Sequence, residues 1–390
     1  MNKKVAKLFN LPQPAQRSEA WFRQRNKQIT ASEVASCLFL KPEVVEEYNK
    51  TFPKAIIKAN PLKGANSYER LDEYIKKKCN VFYSKNYEPF RDTIYTLHGK
   101  LYEPVATRFY SINKKCNVNE FGLITHPKLP WLAASPDGIT DDGVMLEIKC
   151  PLSRKISLDS IPFGYWLQTQ IQMEVCDLDS CDFLECEITP ITERDFLETE
   201  EKLISEGLVG IILEKDTEPK TYIYPDAETA SKLLFDEFTN KNPELGKMYY
   251  KINNWNIITL PRSKTWFKNI KADLYTIYKR IQRYQQSKEA YDKYLETLVG
   301  PLYKKSLVVL DKKEIEFSQD IITIDFDLET CSESTGSDTE TETIEISCDI
   351  SFETPNDKII KTVNNGRDKP IKNATETSVS CNISFEMEIS

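Results

Sequence analysis

Asp137, Glu147 and Lys149 are the residues whose types and spacing point to chemistry. They fall within Ser135-Pro136-Asp137-Gly138 and, shortly after, Leu146-Glu147-Ile148-Lys149. Between the two runs stands Asp141-Asp142-Gly143, a turn signal that predicts a β-hairpin. If the turn centres on Asp142, Asp137 faces Glu147, and direct cross-strand neighbours have Cβ atoms roughly 4.5–5.5 Å apart. Glu147 and Lys149 are two apart on one strand and leave the same face, while Leu146 and Ile148 point into the core. Two carboxylates buried together repel unless something compensates them, and a hard divalent cation with oxygen ligands is the natural compensation. Such an ion polarises a phosphate and lowers the pKa of an attacking water. Lys149 suits the charge that builds on the phosphate, or the orientation of that water. Spacing alone leaves two readings open, a metal site for phosphate chemistry and a hairpin with exposed charges.

The elements that must position these residues are legible from capping and periodicity. Residues 1–17, polar and with Pro12 and Pro14, read as a flexible N-terminal arm. Ser18 is a good N-cap for a helix through Trp21 and Phe22 to about Lys27. Thr30-Ala31-Ser32-Glu33 reads as a capping box opening a second helix. Residues 40–90 look helical but irregular. A helix over 93–111 carries Leu97, Leu101, Val105 and Phe109 on one stripe, with Glu103 off it. Residues 118–150 have strand texture. Segment 165–176 fits both a strand, by alternation, and a helix, by the stripe Leu167, Ile171, Val175. Strands are expected at 181–189, 208–214 and 220–225, and a long helix from about Ser263 to Leu298. Strands mixed with helices make the chain α/β (α+β) with a central mixed sheet flanked by helices.

Charge divides the 390 residues. Residues 311–390 hold 19 acidic and 7 basic side chains, a balance of −12, leaving 41 acidic and 45 basic, or +4, over 1–310. A mildly basic body permits phosphate binding. The acidic tail, 311–390, reads as disordered, yet Ser347-Cys348-Asp349-Ile350-Ser351-Phe352-Glu353 recurs in it as Ser380-Cys381-Asn382-Ile383-Ser384-Phe385-Glu386. No run of eighteen apolar residues predicts a membrane span, and the N-terminus lacks the apolar stretch of a secretory signal. Ten cysteines without a framework pattern read as reduced intracellular thiols. Cys176, Cys181 and Cys186, evenly spaced, lack the close pairs of an iron–sulfur cluster. With only two histidines, His98 and His126, mixed Cys/His zinc sites are disfavoured.

Ser135-Pro136-Asp137-Gly138 followed by Leu146-Glu147-Ile148-Lys149-Cys150-Pro151 resembles the PD-(D/E)xK nuclease signature, and more narrowly the lambda-exonuclease family, also described as YqaJ-like viral recombinases. Three further segments fall in the family's order: Trp21…Arg25…Thr30-Ala31-Ser32, Gly99-Lys100-Leu101-Tyr102-Glu103-Pro104, and Tyr165-Trp166-Leu167-Gln168-Thr169-Gln170, the last favouring the helical reading. The resemblance covers about residues 18–190. It implies a restriction-endonuclease-like core there, with 191–310 an extension packed on it. It also implies that Glu103 joins Asp137, Glu147 and the Ile148 carbonyl around a metal ion, that Lys149 is the catalytic lysine, and that Gln168 and Gln170 lie beside metal and phosphate. Arg25 and Ser32 would hold a 5′ phosphate, and the N–H groups of a helix starting at Thr30 suit that role. Where some relatives carry a further acid before the Ser-Pro-Asp run, this chain has His126-Pro127-Lys128-Leu129-Pro130, which leaves one or two metals open.

The resulting expectation is a Mg²⁺-dependent exonuclease, with Mn²⁺ substituting, that digests linear duplex DNA 5′-to-3′ in recombination, repair or replication of viral-type DNA. The alternatives are a structure-selective endonuclease of the same fold and an inactive DNA-binding or packaging protein. Expected partners are duplex DNA ends, a single-strand annealing protein bound through the tail, and further copies in a ring. The expected location is a reduced intracellular compartment, the host cytoplasm or nucleus if the chain is viral.

Overall fold

A computed structural model describes residues 1–66, 70–83, 92–217, 220–225, 240–299, 344–350 and 379–385. The chain divides into two compact units, Met1–Ile322 and Thr323–Ser390.

The strands of the first unit are β1 (Ile29–Thr30), β2 (Phe39–Leu40), β3 (Asn60–Gly64), β4 (Val118–Asn119), β5 (Ile124–Thr125), β6 (Leu132–Ala134), β7 (Gly138–Thr140), β8 (Met145–Lys149), β9 (Ser180–Ile191), β10 (Val209–Lys215), β11 (Thr221–Ile223) and β12 (Gly246–Pro261). Seven of them form the central sheet in the order β11-β10-β12-β9-β8-β7-β4. It is a mixed sheet, since β8 and β9 pair in parallel and every other neighbour is antiparallel. Parallel neighbours need a crossover, and the Phe163–Cys176 helix supplies it between β8 and β9. A smaller sheet, β1-β6-β5, and the pair β2-β3 hold the other described strands of this unit.

Alternation on β8 and β9 divides the core between the two faces. Leu146, Ile148, Leu184 and Cys186 pack with Tyr102, Val105 and Phe109 of the Ile94–Lys114 helix. Met145, Cys181 and Phe183 share a second core with Trp166, Leu167 and Ile171 of the Phe163–Cys176 helix, and with Trp266 and Ile270 of the Lys264–Gln286 helix. The extension is therefore part of the same body. Its strands β10 to β12 continue the sheet beyond β9, and its long helix covers the crossover helix. That long helix ends at Gln286, and a second runs Lys288–Val299, because Ser287 is extended (φ −132°, ψ 108°). Among the described residues no helix is long and apolar enough to cross a membrane.

Several elements differ from the sequence reading. The N-terminal arm is docked: Lys3–Phe9 is a helix that buries Val5 and Leu8, and Asn2 donates its N–H to Asp141 O (2.6 Å) and its amide to Asp142 O (2.9 Å). Asn2 ties it to the β7–β8 turn, and the two apolar residues join the core. The helix expected after Thr30 is shorter than its capping box suggests, a 3-10 turn Ala31–Glu33 followed by Val34–Cys37. The 93–111 stripe holds only in its second half: Val105 and Phe109 are buried, while Leu97 is 55% exposed. β12 has no clear signal in the sequence, because Asn253, Asn254 and Asn256 and a bulge between Ile252 and Asn254 break its alternation.

In the second unit, β13 (Ile344–Ile350) and β14 (Val379–Phe385) pair antiparallel with each other. They carry the first residues of the two repeats, with Cys348 opposite Cys381. The rest of the 311–390 tail, and the disorder expected of it, lies outside the described residues.

Candidate active site

The hairpin forms in the register that the spacing predicts. Gly138 pairs with Leu146 and Ile139 with Met145, a line that continues to Asp137 opposite Glu147. Gly143 makes the turn at φ +89°, a left-handed conformation that glycine adopts without strain. Gly138 is favoured for a different reason: a Cβ there would lie 2.3 Å from Val118 Cγ1, so the Val118 side chain on β4 would have to shift.

Glu147 is fully buried, and both of its oxygens are engaged. Oε1 accepts from Lys149 Nζ and from Gln168 Nε2 (2.6 Å), and Oε2 accepts from Gln172 Nε2 (2.7 Å). Asp137 Oδ2 accepts the Ile148 N–H at 2.7 Å. Glu103 reaches the same cleft from the Ile94–Lys114 helix and pairs with Arg17 Nη2 at 3.2 Å. The Lys149 ammonium lies 4.9 Å above the Tyr165 ring centroid. The cleft, about 520 Å³, is lined by Glu103, Asp137, Ile148, Lys149, Arg154 and Tyr165 among others.

Electrostatics follow from this crowding. Burial, and then the adjacent Glu147 charge, pushes Asp137 well above the usual carboxylate range, although Lys149 and the Ile148 N–H oppose the shift. Burial likewise raises Glu103, against Arg17 and Lys149. Burial works against the Lys149 charge, but Glu147 and Asp137 outweigh it and hold the ammonium protonated above the ordinary lysine range. The donor types suit a hard cation: carboxylate oxygens from Glu103, Asp137 and Glu147 with a backbone carbonyl at Ile148. A cation would also relieve the repulsion that raises Asp137 and Glu103. As the side chains stand, no group of three or more His, Cys, Asp or Glu among the described residues is arranged to hold a metal ion. Lys149 and Arg17 occupy two of the three acids in its place.

Arg25 and Ser32, paired by the resemblance, do meet. Arg25 Nη2 donates to Ser32 Oγ (3.1 Å), lies 3.7 Å from Glu33 Oε1 and stacks 4.4 Å from the Trp21 ring centroid. Trp21 Nε1 in turn donates to Ser135 Oγ at 3.3 Å, which links this cluster to the segment leading into Asp137. Behind Arg25, Lys78 is 3% exposed and binds Glu33 Oε2 (2.8 Å), Arg25 O (2.6 Å) and Gln28 O (2.9 Å). Glu33 also takes the Thr30 N–H (3.2 Å) that a free helix start would offer a phosphate. Burial alone would raise Glu33, but Lys78 and Arg25 prevail and hold it at about 2. That stability is present above the ordinary value of 4.5 and is lost as pH falls toward about 2. Glu33→Gln leaves Lys78 without its counter-charge and should cost about 3 kcal/mol, the low end for a broken buried pair, since two carbonyls still hold the ammonium. Urea unfolding checks this, and the variant should lack the acid-side loss of stability between those two pH values.

Other expected residues divide. Gln168 is at the site, but Gln170 is not: its Nε2 donates to Pro261 O (2.9 Å) and its Oε1 accepts the Ser263 N–H (2.7 Å). Two residues along a helix is a rotation of about 200°, so Gln170 faces the extension when Gln168 faces Glu147. His126 stands in the segment where a further acid would extend the site. Its Nδ1 accepts the Lys128 and Leu129 N–H groups, and its Nε2 lies 3.6 Å from Glu174 Oε1, so it braces the β5–β6 turn. Cys176, Cys181 and Cys186 are free thiols, each buried. Sequence reasoning missed Arg17, hidden in the supposed arm, and Gln172, whose spacing of four from Gln168 was the available signal.

A family model described as the YqaJ-like viral recombinase domain matches residues 20–179. An uncharacterized protein of Acanthamoeba polyphaga mimivirus is 31% identical over 204 residues, covering 48% of this chain and 32% of that relative. The chain thus spans about a third of the length of the curated relative it matches. Among solved structures, an alkaline exonuclease from Laribacter hongkongensis, LHK-Exo, is similar with a TM-score of 0.40 and 17% identity, covering 71% of this chain and 100% of that one. A phage-related exonuclease from Haemophilus somnus 129PT gives 0.33 and 12%, covering 64% and 94%.

Proposed function

From the premise that residues 20–179 form a YqaJ-like viral recombinase domain, we propose that this chain is a divalent-metal-dependent exonuclease acting on the ends of linear duplex DNA. The observation that carries the reading is the fully buried Glu147, opposite Asp137 and in contact with Lys149, both of which line an open cleft. A structural hairpin gains nothing by keeping repelling acids beside a buried one.

Glu103, Asp137, Glu147 and the Ile148 carbonyl would hold the ion, with Mg²⁺ the natural choice and Mn²⁺ a substitute. When bound, it supplies Lewis-acid polarisation of the scissile phosphate and a more acidic water. Lys149 keeps a fixed positive charge in the cleft and donates to the phosphate oxygen on which negative charge develops. Gln168 holds Glu147 Oε1 in place, and the Tyr165 ring lies beneath the Lys149 ammonium. Arg25 and Ser32 receive the 5′ phosphate, which gives 5′-to-3′ polarity. A role in recombination or repair of viral-type DNA, a ring of several copies, and an annealing partner bound through the repeated tail segments accord with this reading.

Closed circular duplex should resist the enzyme while the same molecule, linearised, is degraded; equal loss of both would favour an endonuclease. A charge-assisted hydrogen bond contributes about 1.5–3 kcal/mol, so ends bearing a 5′ phosphate should be digested roughly tenfold or more faster than 5′-hydroxyl ends. Arg25→Ala should erase that preference. Equal rates of wild type on both ends would remove the role of Arg25.

A further inference from the structure

We infer that Gln172 is a positioning residue that fixes Glu147 and sets its separation from Asp137; the inference rests on the metal-dependent nuclease reading. Gln172 is 1% exposed. Its Nε2 donates to Glu147 Oε2 (2.7 Å) and lies 3.4 Å from Ser135 O. Both neighbours are acceptors only, so the amide must turn its NH₂ toward them. The consequence is that Gln172 Oε1 is buried without a partner among the described residues. Folds rarely tolerate such an atom without reason. An apolar side chain would avoid it, as Ile171 and Met173 on either side do, each fully buried in the apolar core.

What the amide achieves is geometric. Lys149 and Gln168 hold one oxygen of Glu147, and Gln172 holds the other, so the carboxylate plane is defined from both ends. Through Ser135 O the same amide ties the segment leading into Asp137 to the crossover helix. Glu147 on β8 and Asp137 just before β7 thereby share one rigid reference. Partners behind metal-binding acids act in this way, and their loss typically weakens metal affinity or activity by about 10–100-fold.

Gln170 provides an internal control. It is a buried glutamine on the same helix, but among the described residues its side chain bonds to the Pro261–Ser263 segment of the extension. Mn²⁺ binding to the full chain, free of DNA, should be followed by calorimetry for wild type, Gln172→Met and Gln170→Met. Gln172→Met should weaken Mn²⁺ binding by about 10–100-fold and lower kcat on linear duplex by a similar factor, with KM for DNA little changed. Gln170→Met should lower Tm but bind Mn²⁺ like wild type. If Gln172→Met does not fold, Gln172→Asn, which keeps the amide but withdraws it by one methylene, should show the same loss in milder form. Wild-type Mn²⁺ affinity in the folded Gln172 variant overturns the inference while leaving an active wild type as a nuclease. Equal weakening in Gln170→Met overturns it too, because general loosening would then suffice. A wild type that neither binds Mn²⁺ nor releases nucleotides would instead defeat the nuclease reading and this inference with it.

Discussion

Lys149→Ala is expected to lower nucleotide release from linear duplex DNA by about 10³-fold, the upper range for removing one preorganised charge from a developing oxyanion. Lys149 has two tasks. It supplies positive charge in the cleft, and it balances a Glu147 carboxylate that has no access to solvent. Removing it therefore also leaves Glu147 and Asp137 facing each other with less compensation, so Tm should fall in metal-free buffer. Excess divalent cation should restore much of the Tm, because a cation can take over the charge balance. Activity should not return, because the ion cannot also act as the lysine. Recovery of activity with cation alone would assign Lys149 a structural role only.

Asp137→Asn is expected to do the opposite to stability while also abolishing activity. The asparagine oxygen can still accept the Ile148 N–H that Asp137 Oδ2 accepts at 2.7 Å. What it removes is a charge that burial and Glu147 oppose. A folded pKa raised above the unfolded one means the native state binds the proton more tightly, so stability falls as pH rises through that interval. Without metal at mildly alkaline pH, Asp137→Asn should thus raise Tm by about 2–4 °C, corresponding to roughly 1 kcal/mol for a body of this size. A bound divalent ion acting as Lewis acid is worth several kcal/mol of transition-state stabilisation, so a variant that weakens its site should lose about 10³-fold in rate. Stability gained as function is lost is the expected mark of an active-site acid. A variant that is both destabilised and still active would show that Asp137 serves only the hairpin.

The site was legible in the sequence where local rules decide geometry. A two-residue period and one turn centred on Asp142 were enough to place Asp137 across from Glu147, because nothing else can set a tight hairpin's register. The N-cap at Ser18 also rested on nearest neighbours, whereas periodicity left 165–176 open and the family resemblance favoured the helix; both elements formed. What stayed hidden depends on contacts between distant segments. Residues 1–17 looked loose because their partners, Asp141, Phe121 and Glu103, lie more than eighty positions away. Gln170 and Gln172 look alike in the sequence, and only the direction in which the helix presents each one separates them. The Thr30 capping box was real, but Glu33 spends its charge on Lys78 and Arg25, a pairing no spacing rule announces.

The central claim, a metal-dependent exonuclease centred on Glu147 and Lys149, is tested most directly by product analysis on an end-labelled linear duplex. The purified chain with Mg²⁺ should release labelled mononucleotides progressively from the 5′ ends, stop on addition of a chelator, and release almost none when Lys149→Ala replaces wild type. Release that is unaffected by the chelator, or that proceeds equally with Lys149→Ala, would contradict the account, as would an intact duplex after prolonged incubation with wild type.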